Sequence, residues 1–253
     1  MRTGSSRGAA PSWPAPFVVL ASRSPQREAI LRQLRLAFRV APSRHHETTV
    51  PGDPVATVVA NASGKAREVA GRESVGLALA PIDRAPAAAG LTLASAGVAD
   101  AGRAPLGLAL EPGHLVLGVD TVVVLDGRVL GKPADAAEAA AFLDALAGRR
   151  HDVVSGLCLL DSGGDAWTAH ARTTVAFRAL SRDAVAGYVA TGEWRERAGA
   201  YAIQGVGSAL VTAVDGDYWN VVGLPVALAL DGLAHFGVAP VSWLTVPPTL
   251  GAP

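Results

Sequence analysis

Asp120 is out of keeping with every residue around it. It lies in LVLGVDTVVVL (115–125), an almost wholly apolar run rich in β-branched valine that reads as a buried strand. A bare carboxylate buried there costs several kcal/mol or is forced to protonate, so it calls for a cation, a metal ion or a cleft. The alternative is a strand end that Asp120 merely marks, with Thr121 bonded locally. Asp126-Gly127 follows as a hairpin turn, and Arg128–Gly131 starts the return strand that carries Lys132 ahead of Pro133. Lys132 is the cationic candidate nearest in sequence. A regular two-residue turn sets Thr121 opposite Lys132 and Asp120 opposite Pro133. Asp120 and Lys132 then converge only if the return strand breaks or bulges near 131–133.

A second group is Ser22-Arg23-Ser24-Pro25-Gln26-Arg27. It follows the short apolar strand Phe17–Ala21 and opens a helix running to about Leu36. Ser24 is placed to cap that helix and Pro25 to start it. Such a junction aims free backbone N–H groups at a point flanked by Ser22, Ser24, Arg23 and Arg27, which suits an anion. The glycines and terminal Lys-Ser/Thr of a P-loop are missing, which argues against ATP-driven phosphoryl transfer of that type. The plainer reading is a well-capped helix with surface arginines.

Ser43-Arg44-His45-His46-Glu47-Thr48 looks metal-binding, but adjacent side chains rarely converge on one ion. Glu47 is the candidate ligand for a hard cation, and both histidines read as loop residues. Lys65 sits on the next helix, whose core face is traced by Val55, Val58, Val59, Ala62 and Val69. Its default reading is an exposed charge. The neighbouring Gly64, unfavourable in a helix, hints at close approach of some group to the backbone. In Gly192–Gly205, polar side chains flank glycines as in a loop that wraps a ligand. Gly205-Val206-Gly207 superficially suggests dinucleotide binding, but the strand-like 209–214 that follows, where a helix is required, rules against it.

The elements that must hold these groups alternate between strand and helix. A strand at Phe38–Val40 and the helix bearing Lys65 precede the central hairpin. Asp135 and Glu138 open a helix to Leu146 with Gly148 at its end. Val153–Leu160 and Thr173–Arg178 read as strands about a Ser162-Gly163-Gly164 turn. Ser181 caps a helix closed by Thr191-Gly192, Tyr218–Val222 reads as a short strand, and Leu224-Pro225 starts a final helix. Residues 1–16 read as a disordered tail, 17–239 as the domain, about 71–112 as a variable insertion, and 240–253 as a Pro-rich tail.

Composition narrows the class. Half the residues are hydrophobic, 17% are charged, and acids and bases balance at 22 each, which suits an α/β protein and argues against a polyanion-binding surface such as one for nucleic acid. The one cysteine, Cys158, excludes an intrachain disulfide and a cysteine zinc cluster, and reads as a small core residue. No apolar run approaches the ~18 residues of a membrane helix. The segment after the basic N-terminus is too short for a signal-peptide core, so the chain reads as cytoplasmic.

Four segments in order resemble the Maf family of nucleotide pyrophosphatases, the septum-formation proteins, and within it the dTTP/UTP-preferring branch. They are Leu20-Ala21-Ser22-Arg23-Ser24-Pro25-Gln26-Arg27; Glu47 with Lys65-Ala66; Gly118-Val119-Asp120-Thr121 through Gly131-Lys132-Pro133; and Gly192-Glu193 through Ala198-Gly199-Ala200-Tyr201-Ala202-Ile203-Gln204-Gly205, closing on Val222-Gly223-Leu224-Pro225. The resemblance implies a two-lobed, mixed-sheet α/β fold of the inosine-triphosphatase type with a central cleft. It implies hydrolysis of nucleoside triphosphates to monophosphate and pyrophosphate with Mg²⁺ or Mn²⁺, by a homodimer. Asp120 matches the family's proton acceptor, and Thr121 and Gln204 match positions linked to substrate choice. On the same resemblance, Asp120, Glu47, Lys65 and Lys132 form the catalytic group, Glu47 and Asp120 hold the metal, and Ser22, Ser24, Gln26, Arg27, Thr121 and Gln204 bind substrate. Gln26 stands where the pyrimidine-preferring branch usually has the first of two arginines. The rival readings are a non-catalytic nucleotide-binding regulator of cell division and, weaker, a dinucleotide-dependent oxidoreductase.

Overall fold

A computed structural model describes residues 18–72 and 114–238. The proposed tails 1–16 and 240–253, and almost all of the 71–112 insertion, lie outside the described residues. The elements are β1 (Val18–Leu20), α1 (Pro25–Gln33), β2 (Phe38–Val40), α2 (Pro54–Arg72), β3 (Leu115–Leu125), β4 (Arg128–Leu130), α3 (Ala136–Leu146), β5 (Arg150–Asp161), β6 (Ala166–Phe177), α4 (Arg182–Thr191), β7 (Val211–Asp215), α5 (Tyr218–Val222) and α6 (Val226–His235). The seven strands form one mixed sheet in the order β2-β1-β3-β5-β6-β7, with β4 paired to β3. β1 runs parallel to β2 and β3, and the other pairings are antiparallel. This is the mixed-sheet α/β class that the resemblance implied.

β3 is the axis of the fold, and it is covered on both sides. On one face Val116, Val122 and Val124 meet α2 through Val58, Ala62, Ala66 and Val69. On the other, Leu117 and Val119 pack with residues of α1 and α6, while Val123 and Leu125 join the cluster of α3 and α4. Burial on both faces is why its sequence reads as a continuous apolar run.

Two glycines let α2 lie unusually close to the sheet. A Cβ at Gly118 would strike the Ala62 carbonyl, and one at Gly156 would strike the backbone of Val58 and Val59. Neither obstacle is a side-chain tip that can swing aside. Gly118→Ala is therefore expected to destabilise by at least ~2 kcal/mol, at the upper end of overpacking costs, and to lower activity by pushing the α2 side chains away from β3. Urea midpoints and steady-state rates of the variant check both effects.

The capping and turn expectations hold. Ser24, Asp135 and Ser181 each accept a backbone N–H at a helix start, Pro25 is the first residue of α1, and Gly192 closes α4 in the left-handed region. Asp126 (φ 50°) and Gly127 (φ 75°) form the two-residue turn between Leu125 and Arg128. Among the element expectations that differ from the structure, two have a clear local cause. Tyr218–Val222 is a short helix and not a strand, because Asp217 caps it by accepting the Trp219 N–H and Gly223 closes it at φ 127°. α1 stops at Gln33, before Leu36, because Arg35 turns left-handed (φ 53°) and reverses the chain. Cys158 is buried in the core, where desolvation pushes its thiol up to about 11.

Candidate functional site

The sheet creates the site by leaving a gap along one edge of β3. β1 pairs with Leu115–Leu117 and β4 with Val123–Leu125, so between them that edge has no strand neighbour. Asp120 lies at this gap. Its backbone still pairs with Gly156 of β5 on the other side, so it is an interior strand residue and not a strand end. In the gap the Val119 carbonyl accepts from Arg27 Nη1 at 2.9 Å and from Lys65 Nζ at 3.4 Å.

The Asp120 side chain is 8% exposed, and each of its oxygens has a donor. Oδ1 accepts from Lys65 Nζ at 2.7 Å, and Oδ2 from Asn61 Nδ2 at 2.9 Å. Lys65 Nζ also reaches Glu47 Oε1 at 2.6 Å. Lys65 is thus a buried ammonium (10% exposed) between two carboxylates, and not the surface charge that helix position alone suggests. Its burial follows from Gly118 and Gly156, which draw α2 down onto β3. The hint at Gly64 has a local answer, because the His45 ring occupies the place of a Cβ there.

Asn61 is the residue that sequence reasoning missed. It stands one helical turn before Lys65 and is 2% exposed. Its Oδ1 accepts the Thr48 N–H at 2.9 Å, and its Nδ2 donates to the Thr48 carbonyl at 3.0 Å as well as to Asp120. One side chain thereby ties the loop beside Glu47 to the central carboxylate. The i, i+4 spacing of Asn61 and Lys65 on one helix face was the available signal. Glu68 secures the same loop: burial raises its pKa, but bonds from the Arg44 N–H and Ser43 hydroxyl more than offset this and hold it below the usual range.

The cleft around Asp120 has a volume of about 1090 Å³ and is lined by nine of the ten expected residues: Ser22, Ser24, Gln26, Arg27, Glu47, Lys65, Asp120, Thr121 and Lys132. The tenth, Gln204, lines a recess of about 260 Å³ that shares Gln26, Arg197, Tyr201, Val221 and Val222 with the cleft.

Three residues have partners that their sequence positions do not announce. Lys132 does not meet Asp120; it pairs with Glu196 Oε2 at 2.8 Å, and both ends are exposed. The return strand does break, since β4 ends at Leu130 and Gly131 accepts from the Gly199 N–H at 3.0 Å instead of continuing the ladder. Arg27 is held inside the protein by four of its five N–H groups: Nε donates to the Gly223 carbonyl at 2.8 Å, Nη1 to Ser22 Oγ and the Val119 carbonyl, and Nη2 to Thr121 Oγ1 at 3.1 Å. Burial lowers its pKa against the opposing pull of Asp120 and Glu47. With four bonds made, Arg27 acts first as a brace between α1, β3 and the chain before α6. Thr121 lies across the strand from Asp120 and shares its hydroxyl with Ser155 at 2.8 Å as well as with Arg27. The loop at 205–207 does bind an anion, but that anion is Glu193, whose oxygens accept from the Val206 and Gly207 N–H groups. Those bonds outweigh desolvation and keep its pKa low.

Tyr201 is a shared wall of cleft and recess, held from behind by His151 Nε2 at 2.9 Å and by edge contacts with Phe177. Burial pushes His151 down to about 4, despite the raising influence of Asp152. The unfolded chain takes up this proton near its ordinary 6.5 and the folded chain only near 4. Between those values the unfolded state binds more protons, so stability falls as pH drops, by up to ~1.4 kcal/mol per pH unit. His151→Phe is expected to flatten this part of the profile, which denaturant midpoints of both proteins at pH 7 and pH 5 measure.

Comparison with known proteins gives the lineage. Residues 17–236 match the family model described as Maf-like protein. The chain belongs to the Maf family. A dTTP/UTP pyrophosphatase of Moorella thermoacetica is 42% identical over 87% of this chain and 95% of its own length. One of Symbiobacterium thermophilum is 39% identical over 87% and 94%, and one of Deinococcus radiodurans 36% over 90% and 97%. Among solved structures, a nucleoside-triphosphatase / dITP/XTP pyrophosphatase of Mycobacterium abscessus overlaps 90% of this chain and 98% of its own, at 14% identity and a TM-score of 0.37, a likeness too slight to carry weight. The Maf segments read from the sequence all border the cleft or recess.

Proposed function

We propose that this Maf protein hydrolyses nucleoside triphosphates to nucleoside monophosphate and pyrophosphate, with dTTP and UTP as the first substrates to try. The observation that carries the reading is Asp120 held by Lys65 and Asn61 at the sheet gap, inside a cleft of about 1090 Å³. The relatives' activity supports the same chemistry.

In this reading a water attacks the α-phosphorus, a new P–O bond forms, and the bond from that phosphorus to the bridging oxygen breaks to release pyrophosphate. Asp120 orients the water and accepts its proton. Lys65 and Lys132 offset the charge that builds on phosphate oxygens, Lys132 by exchanging its exposed pairing with Glu196 for substrate. Ser22 Oγ already accepts from Ser24 N–H and Arg27, which leaves its hydroxyl proton for a phosphate beside the α1 N-terminus. Gln204 and Gln26 face the recess and offer donors and acceptors to a base edge.

The donor set suits a divalent cation. Glu47 and Asp120 bring two carboxylates to a single ammonium, a net negative cluster of hard oxygen donors. Among the described residues no third acidic or histidine side chain joins them, which matches the habit of Mg²⁺ of taking one or two carboxylates together with water and phosphate. When bound, such an ion supplies polarisation of phosphate oxygens and a more acidic water. The cytoplasmic location and homodimer belong to the same reading; no helix among the described residues is long and apolar enough to cross a membrane.

The test is pyrophosphate release from a panel of purified nucleoside triphosphates with Mg²⁺ or Mn²⁺. Turnover of one or more supports the enzyme, and the ranking reports base preference, including what Gln26 does in place of arginine. Binding without release supports the nucleotide-binding regulator instead.

A further inference from the structure

The cations around the cleft differ in what holds them. Arg27, Lys65 and Lys132 are bonded as described, and Arg23 and Arg44 are exposed. Arg197 is unlike all of these. It is half-buried and lines both the cleft and the recess, and its Nε is buried with no acceptor. Glu193 and Glu196 feel its charge but do not bond it, since Glu193 is taken by the Val206 and Gly207 N–H groups and Glu196 by Lys132.

A charged donor buried without an acceptor forfeits a hydrogen bond, and a folded protein rarely keeps one without cause. The backbone beside it is also unusual. Glu196 (φ 59°), Gly199 (φ 68°) and Ala200 (φ 63°) are all left-handed, and two of the three are not glycine. Such conformations persist where the surroundings hold a group in a required place. Here the group placed is a guanidinium at the joint between two cavities that share five residues. One cavity has the charged apparatus and the other the amide side chain of Gln204. A molecule with an anionic end and a small polar head fits that pair of spaces.

We infer that Arg197 positions the substrate by donating to the phosphate that stays on the nucleoside, anchoring the molecule across the joint between cleft and recess. The inference rests on the triphosphate reading and adds a residue to it. Arginine suits the task because its planar fork offers several fixed donors to a phosphate.

The test is calorimetric titration of the full chain, Arg197→Gln and Arg197→Lys with dTMP, UMP and pyrophosphate, alongside kcat and KM for the triphosphates. Arg197→Gln is expected to weaken monophosphate binding by ~10-fold or more, a lost charge-assisted bond, while pyrophosphate binding changes by less than about twofold. KM should rise more than kcat falls, and Arg197→Lys should recover part of the loss. Unchanged monophosphate affinity in Arg197→Gln overturns the assignment, as does equal weakening of monophosphate and pyrophosphate, or a wild-type chain that binds no monophosphate. Thermal midpoints separate loss of folding from loss of contact, and Arg197→Lys keeps the assignment testable if the Gln variant does not fold. If the wild-type chain releases no pyrophosphate yet binds monophosphate through Arg197, the activity reading falls and the assignment stands. If it turns over triphosphate and Arg197→Gln binds monophosphate normally, the assignment alone falls.

Discussion

Asp120→Asn is expected to lower kcat by at least ~10²-fold, the usual consequence of losing a general base, while nucleotide binding stays near wild type. The substitution is nearly isosteric; Asn keeps one oxygen to accept from Lys65, but its new amide N–H₂ then stands against the Asn61 amide donor and that one hydrogen bond is lost. Lys65 retains Glu47 as its counter-charge, so the stability cost should not exceed ~2 kcal/mol. What disappears is the capacity to accept a proton from water at the sheet gap. Single-turnover rates together with a nucleotide titration separate the two effects. A variant with full activity removes Asp120 from the chemistry, whatever its geometry.

Lys65→Met is expected to be the more damaging substitution for the fold as well as for turnover. It leaves Asp120 with one neutral donor, Asn61, in a place where its side chain is 8% exposed. Removing one partner of a buried ion pair typically costs ~3–5 kcal/mol, because the remaining charge is left uncompensated. Turnover falls with it, because Lys65 also supplies the positive charge beside the attacked phosphate. The double variant Lys65→Met/Asp120→Asn should be more stable than Lys65→Met alone, since the stranded charge is gone. A denaturation cycle over the four proteins measures that coupling. Additive losses would show that the contact at 2.7 Å carries no net interaction.

The two variants probe different members of one arrangement. Asp120 is supplied by a strand, Lys65 and Asn61 by a helix, and Glu47 by the loop that Asn61 and Glu68 pin to that helix. The loop is the most adjustable part, since Glu47 is 54% exposed and can leave Lys65 without burying a charge. Asp120 and Lys65 cannot separate so easily. This asymmetry suits a site in which one carboxylate stays in place while the other adjusts to a metal or phosphate.

Much of this was legible without coordinates, for a physical reason. A carboxylate inside a valine strand, a serine-proline helix start and a D-G turn are local signals, because each residue type has a strong energetic preference that its neighbours reveal. Asp120 could thus be named from eleven residues, and the hairpin from two. The partner of Asp120 was not legible. Lys132 is near in sequence and Lys65 is far, yet Lys65 makes the bond, because Gly118 and Gly156 let α2 sink onto the sheet while β4 ends early and carries Lys132 to Glu196. Arg27 reads as part of an anion site and also braces three parts of the chain, and the backbone N–H groups after Gly205 receive the chain's own Glu193. Asn61 gave no signal beyond its spacing. Residue type set which groups were able to react; close packing of glycine against helix, and the gap left between β1 and β4 along β3, decided which of them meet.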